Sequence, residues 1–132
     1  MLVTTKAIVV WFVILLAAFA NGALRELILI PALGSTRAQL ASGLLLSLAV
    51  VAIAVLSAPW FGNMNATQAL LIGLLWVGLT LAFEFGFGLL VQRKSLSTLL
   101  AAYTFKDGNL WPVVVVVTGL APLVAARIRG LT

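Results

Sequence analysis

The chain has 132 residues, 64% of them hydrophobic and 8% charged, with a mean hydropathy of +1.24. That composition leaves too little polar surface for a water-soluble globule and implies an integral membrane protein, residues 1–132 forming a single transmembrane domain with room for four spans of ~20 residues. Cysteine and histidine are both absent, which excludes disulfides, thiolate chemistry, the common transition-metal ligand sets and a Ser-His-Asp triad; the net charge of +5 is scattered in ones and twos, a pattern that suits lipid headgroups and not nucleic acid.

The apolar runs are continuous and rich in Leu, Ala and Val, without the ten-residue alternation of a membrane barrel. The predicted fold is therefore all-α, a compact bundle of four transmembrane helices. The first span covers residues 7–30 and is stopped by Pro31 and Gly34. Lys6, the run after it and Ala18-Phe19-Ala20 imitate a cleavable signal, but apolar residues resume at Leu27, as expected of a retained span. The second span, residues 38–58, carries no charge and ends at Pro59-Trp60. Asn65 or Thr67 can cap the third, residues 67–91, which Gln92-Arg93-Lys94 follows. Leu96, Leu99, Leu100 and Tyr103 then recur at helical spacing behind Ser95, predicting a short interfacial helix between spans three and four. The fourth span, residues 109–126, opens on Trp111-Pro112, where proline's missing amide costs little.

Arg37, Arg93, Lys94 and Lys106 lie on the side of loops one and three, and Lys6, Arg127 and Arg129 on the other. The positive-inside rule then puts both termini outside. Within the bundle one residue stands out. Glu84 interrupts an otherwise uncharged run, where an ionisable group costs from ~2.5 to more than 10 kcal/mol and calls for a partner or water. Helix direction supplies candidates: Arg25 lies ~10 Å and Glu84 ~7 Å from the midplane at 1.5 Å per residue, displaced toward the same membrane face.

The expected intramembrane polar site comprises Asn21, Arg25, Glu26, Thr80, Glu84, Tyr103, Lys106, Asp107 and Asn109. Arg25 is expected to pair with Glu84, with Asn21 beneath it and Glu26 turned toward Lys106 or the headgroups. Gly78, Ala82 and Gly86 form a small-residue seam on the opposite face of the third helix, suited to another helix of this chain or to a second copy in a homo-oligomer.

Three segments, Asn21-Gly22-Ala23-Leu24-Arg25-Glu26, Phe83-Glu84-Phe85-Gly86-Phe87-Gly88 and Asp107-Gly108-Asn109-Leu110-Trp111-Pro112, resemble those of small uncharacterised bacterial four-helix integral membrane proteins. The resemblance implies a bacterial inner (plasma) membrane and brings no activity with it. Two functions fit the residues. One is proton- or cation-linked transport or permeation centred on Glu84; the other is an accessory role in a larger membrane complex, with the Arg25/Glu84 pair locking helix packing. No catalytic residue, enzymatic activity, cofactor or metal is expected; the lipid bilayer is the expected partner.

Overall fold

The computed structural model describes residues 3–104 and 110–130. Lys106, Asp107 and Asn109 of the expected site lie outside the described residues. Five helices are present: α1 (Val3–Leu33), α2 (Ser35–Phe61), α3 (Ala66–Val91), the short α4 (Leu96–Ala101) and α5 (Trp111–Ile128). All but α4 are long and apolar enough to cross a bilayer.

The ends of these helices follow local chemistry, with departures from the sequence reading. Pro31 does not stop α1, because it falls near the start of the last helical stretch, Ile30–Leu33, after a π-helical turn. The break comes at Gly34, whose φ of 86° is open to a residue without a Cβ. Pro59 is likewise carried inside α2, which ends at Gly62 with a φ of 77°. At the start of α3, Asn65 Oδ1 accepts from the Gln68 amide at 2.8 Å and Gln68 Oε1 accepts from the Asn65 amide at 3.0 Å, a reciprocal capping box. Ser95 Oγ accepts from the Thr98 amide at 3.2 Å and caps α4.

Two helices widen near one end of the bundle. Arg25–Leu29 in α1 and Phe87–Val91 in α3 are π-helical, with the amides of Ile30 and Gln92 reaching back to the carbonyls of Arg25 and Phe87. Such turns are rare and tend to occur at functional sites.

The four long helices close a ring in the order α1, α2, α5, α3, each packed on two neighbours. Water does not drive helices together inside lipid, so close approach and polar links must hold the ring. Gly73 provides the closest approach: a Cβ there would lie 1.9 Å from the Gly119 carbonyl oxygen, so α3 and α5 meet backbone to backbone. Two indoles join α1 to α3. Trp76, fully buried, donates to the Ala7 carbonyl at 2.9 Å, and Trp11 donates to Thr80 Oγ1 at 3.0 Å. Lys6 Nζ donates to the Trp60 carbonyl at 2.9 Å, tying the start of α1 to the end of α2.

Candidate functional site

Glu84 sits on α3 three residues before the π-helical turn begins at Phe87, and its partners are neutral. The Tyr103 hydroxyl, in the 3-10 turn after α4, donates to Glu84 Oε2 at 2.6 Å; the Trp111 indole N–H, at the first position of α5, reaches the same oxygen at 2.9 Å. That indole also lies 2.9 Å from the Tyr103 oxygen, so the three groups form a closed triangle. Phe85 stacks on Tyr103, with ring centroids 6.2 Å apart and an interplanar angle of 6°, and so fixes the phenol's plane. Burial pushes the Tyr103 phenol well above its ordinary value of 10.0, and its hydrogen bond to Glu84 pushes it further, while the indole bond opposes them. The phenol is thus a proton donor over the physiological range.

Arg25 is not the partner of Glu84. Its Nε lies 3.4 Å from Glu26 Oε1, and this is the ion pair present among the described residues. The reason lies in which neighbour α1 presents Arg25 to. Asn21 Nδ2 donates to the Ser42 carbonyl at 3.1 Å, Ser42 Oγ donates to Asn21 Oδ1 at 2.5 Å, and Arg25 Nη1 points to Ser42 Oγ at 3.4 Å. The Asn21/Arg25 face therefore docks on α2 and not on α3. The 100° separation of Arg25 and Glu26 on the helix does not keep them apart, because Glu26 is exposed and both stems are long enough to swing together. The expected turn of Glu26 toward Lys106 or the headgroups involves a residue outside the described ones; what is described is its contact with Arg25.

Cavities show what Glu84 faces. An apolar chamber of about 310 Å³ runs along the inside of the ring, walled by aromatic side chains including Trp11, Phe83 and Phe87, and Glu84 and Thr80 line it. Phe83 is the hub of that wall, stacked on Phe87 at 5.3 Å and meeting Phe19 and Trp11 edge-on at 5.8 and 6.3 Å. A second chamber, of about 320 Å³, is lined by Asn21, Arg25, Gln39 and Ser42. Glu84, Lys94 and Trp111 belong to the walls of both. A third cavity, of about 260 Å³, lies toward the other end of the bundle, among Thr4, Ala7, Asn63, Gln68 and Ile72. The buried Trp76 bonds to Ala7 of that cavity's wall, while the buried Trp11 lines the first chamber.

Of the expected site residues, the structure thus gathers Thr80, Glu84 and Tyr103 in one group and Asn21 and Arg25 in another, with Glu26 outside the chambers and attached through Arg25. Gly78 and Ala82 are exposed, and a Cβ at Gly78 or Gly86 would meet nothing within 4 Å, so the seam does not pack on another helix of this chain. Trp111, Lys94 and Ser42 were absent from the expected set. Trp111 carried a signal, since a buried indole N–H needs an acceptor and Glu84 is placed in the same half of the membrane.

No family model matches the chain, and no characterised protein or solved structure proved similar to it.

Proposed function

We propose that this is a membrane transport or permeation protein in which Glu84 takes up and releases a proton or cation from the chambers it faces. The observation that carries this reading is the pairing of Glu84 with two neutral donors on one oxygen while it forms part of the wall of two chambers. A carboxylate used as a structural lock is neutralised by a fixed cation. Here the cation expected for that task is engaged with Glu26 and Ser42 instead. An ionisable group inside a helical bundle, facing room and not a counter-ion, is the usual mark of an ion or proton path.

The accessory reading retains one supporting observation, the outward seam of Gly78, Ala82 and Gly86, which suits close approach of a neighbouring helix from a second copy or a larger complex. A bacterial inner membrane, on the resemblance of the three segments, and both termini outside, on the positive-inside count, remain part of the proposal. Reconstitution into vesicles tests it. Wild-type protein should dissipate an imposed proton or cation gradient, and Glu84→Gln should abolish the flux while keeping its helicity and thermal transition. Wild-type vesicles as tight as empty ones under proton, sodium and potassium gradients would rule the transport reading out.

A further inference from the structure

We propose that the two adjoining chambers bind a single amphiphilic anion, with its apolar part among Trp11, Phe83 and Phe87 and its head between Arg25 and Lys94. This rests on the transport reading above and names its substrate class. The two spaces have unlike walls, one aromatic and one polar, and share Glu84, Lys94 and Trp111 along their boundary. Each alone reaches the lower end of the range for small-molecule pockets, ~300–1,000 Å³. A molecule that is apolar at one end and polar at the other fits both.

Charge decides the sign of the head. Among the described residues, the charged groups lining the polar chamber are Arg25, Lys94 and Glu84, two cations to one carboxylate. Glu84 already receives two donors on Oε2, whereas Lys94 has no ion pair among the described residues. Arg25 spends Nε on Glu26 and Nη1 on Ser42, and its Nη2 lies 3.8 Å from the Cβ position of Gly22, another residue of the chamber wall. Donors are left over on the cations and few acceptors are left on the carboxylate. A cationic head would have to settle beside two like charges, which repel it.

An anionic head still meets Glu84, and two carboxylates sharing a site do not both stay ionised. A proton on Glu84 removes the conflict, so anion binding and protonation of Glu84 favour each other. Among the described residues, the titratable groups lining these chambers are Arg25 from α1, Glu84 from α3 and Lys94 beyond α3, with the Tyr103 phenol bonded to Glu84 from beyond α4. α2 contributes Gln39 and Ser42 and α5 contributes Trp111 and Thr118, none of which titrates. Of the titratable groups, Glu84 alone is a carboxyl, so the proton that admits an anionic head goes there.

Equilibrium binding of decanoate, followed by tryptophan fluorescence in phosphatidylcholine nanodiscs, tests the inference without any gradient. Saturable binding is expected in mild acid, weakening about tenfold in mild alkali. Lys94→Gln and Arg25→Gln should each weaken it about tenfold, Lys94→Arg should retain it, and Glu84→Gln should bind in alkali as the wild type does in acid. Thermal transitions of all variants guard against misfolding, and Lys94 is exposed, so its substitution leaves the core alone. Replacing part of the phosphatidylcholine by phosphatidylglycerol separates two sources of the same chemistry. Displacement of decanoate identifies an anionic lipid as occupant, and unchanged binding identifies a free amphiphile; both support the site. Tighter binding of decyltrimethylammonium than of decanoate would overturn it, as would wild-type affinity in both Lys94→Gln and Arg25→Gln. Absence of decanoate binding beside an intact proton flux would also overturn it while leaving the transport reading intact, and binding without flux would do the reverse.

Discussion

The Tyr103 hydroxyl donates to Glu84 Oε2 at 2.6 Å, across a separation of 19 residues that spans the end of α3 and the whole of α4. This bond converts an isolated acidic group in an apolar helix into a positioned one. It also explains why the chain turns back at Leu96: the short helix and its 3-10 turn bring the phenol over the carboxylate. Leu99 of that helix is buried and packs against Gly88, where a Cβ would lie 2.7 Å from a Leu99 methyl carbon. Glycine at 88 thus lets α4 close down on α3.

The phenol offers a direct probe, since Tyr103 is the chain's single tyrosine. Burial and the Glu84 carboxylate raise its titration above the ordinary 10.0. A group whose folded value is raised contributes stability that is complete below its unfolded value and is lost as pH climbs toward the folded one. The protein should therefore hold its full stability up to about pH 10 and lose it progressively above that. Phenolate absorbance in alkali should appear late in the wild type and earlier in Glu84→Gln. Equal midpoints in the two proteins would mean that the carboxylate does not act on the phenol.

Two glycines of α3 should behave in opposite ways. Gly73→Ala forces a methyl group into the Gly119 carbonyl and should cost ~1–3 kcal/mol or more by overpacking. Gly78→Ala meets open space and should instead add ~1 kcal/mol of helix propensity to the isolated chain. Thermal unfolding in detergent compares them. The same pair reads out the seam: Gly78→Leu should leave the monomer intact and lower the mass of any oligomer seen by size exclusion with light scattering.

How far the sequence led to this arrangement depends on the distance over which the information acts. Four spans, an interfacial helix and the caps at Asn65 and Ser95 follow from composition and neighbours within four residues, and all appear in the structure. Grouping the polar residues in one half of the membrane followed from helix direction. The pairing did not follow, because it depends on the azimuth of each helix about its axis, which the two π-helical turns alter and which the nearly uniform apolar surface does not encode. Arg25 is attractive to Glu84 on charge alone, yet the Asn21/Ser42 contact turns its helix face toward α2. Trp111 was visible only as the opening of the fourth span, although its N–H had to find an acceptor.

The indole layer should act as the barrier to passage. Trp76 is fully buried and pinned to the Ala7 carbonyl, with Trp11 bonded to Thr80 one turn deeper along α3. Trp76→Phe removes one bond and little volume, and should cost ~0.5–1.5 kcal/mol, the net worth of that bond, since the Ala7 carbonyl keeps its helical partner. Trp76→Ala leaves a large hole beside Ala7 of the third cavity's wall, costing ~3–5 kcal/mol where the bundle still forms. In vesicles, the alanine variant should leak small ions down either gradient without the need for Glu84, and Glu84→Gln added to it should not restore tightness. A tight Trp76→Ala vesicle with folded protein would place the barrier elsewhere.

Double-mutant cycles distinguish a positioned carboxylate from an ion-paired one more directly than any single substitution. Tyr103→Phe with Glu84→Gln should show a coupling of ~1.5–3 kcal/mol, the range of hydrogen bonds to charged groups, because the two share a short bond in a partly buried site. Arg25→Gln with Glu84→Gln should show less than ~0.5 kcal/mol, since no bond joins them and Arg25 is held by α2. Arg25→Gln with Glu26→Gln falls between, at ~0.2–1 kcal/mol, because side-chain exposures of 30% and 62% admit screening by solvent. Chemical unfolding in mixed micelles supplies the free energies. The ordering matters more than the values: a coupling between Arg25 and Glu84 larger than that between Tyr103 and Glu84 would make the carboxylate half of a structural lock, and the chambers beside it mere gaps in the packing.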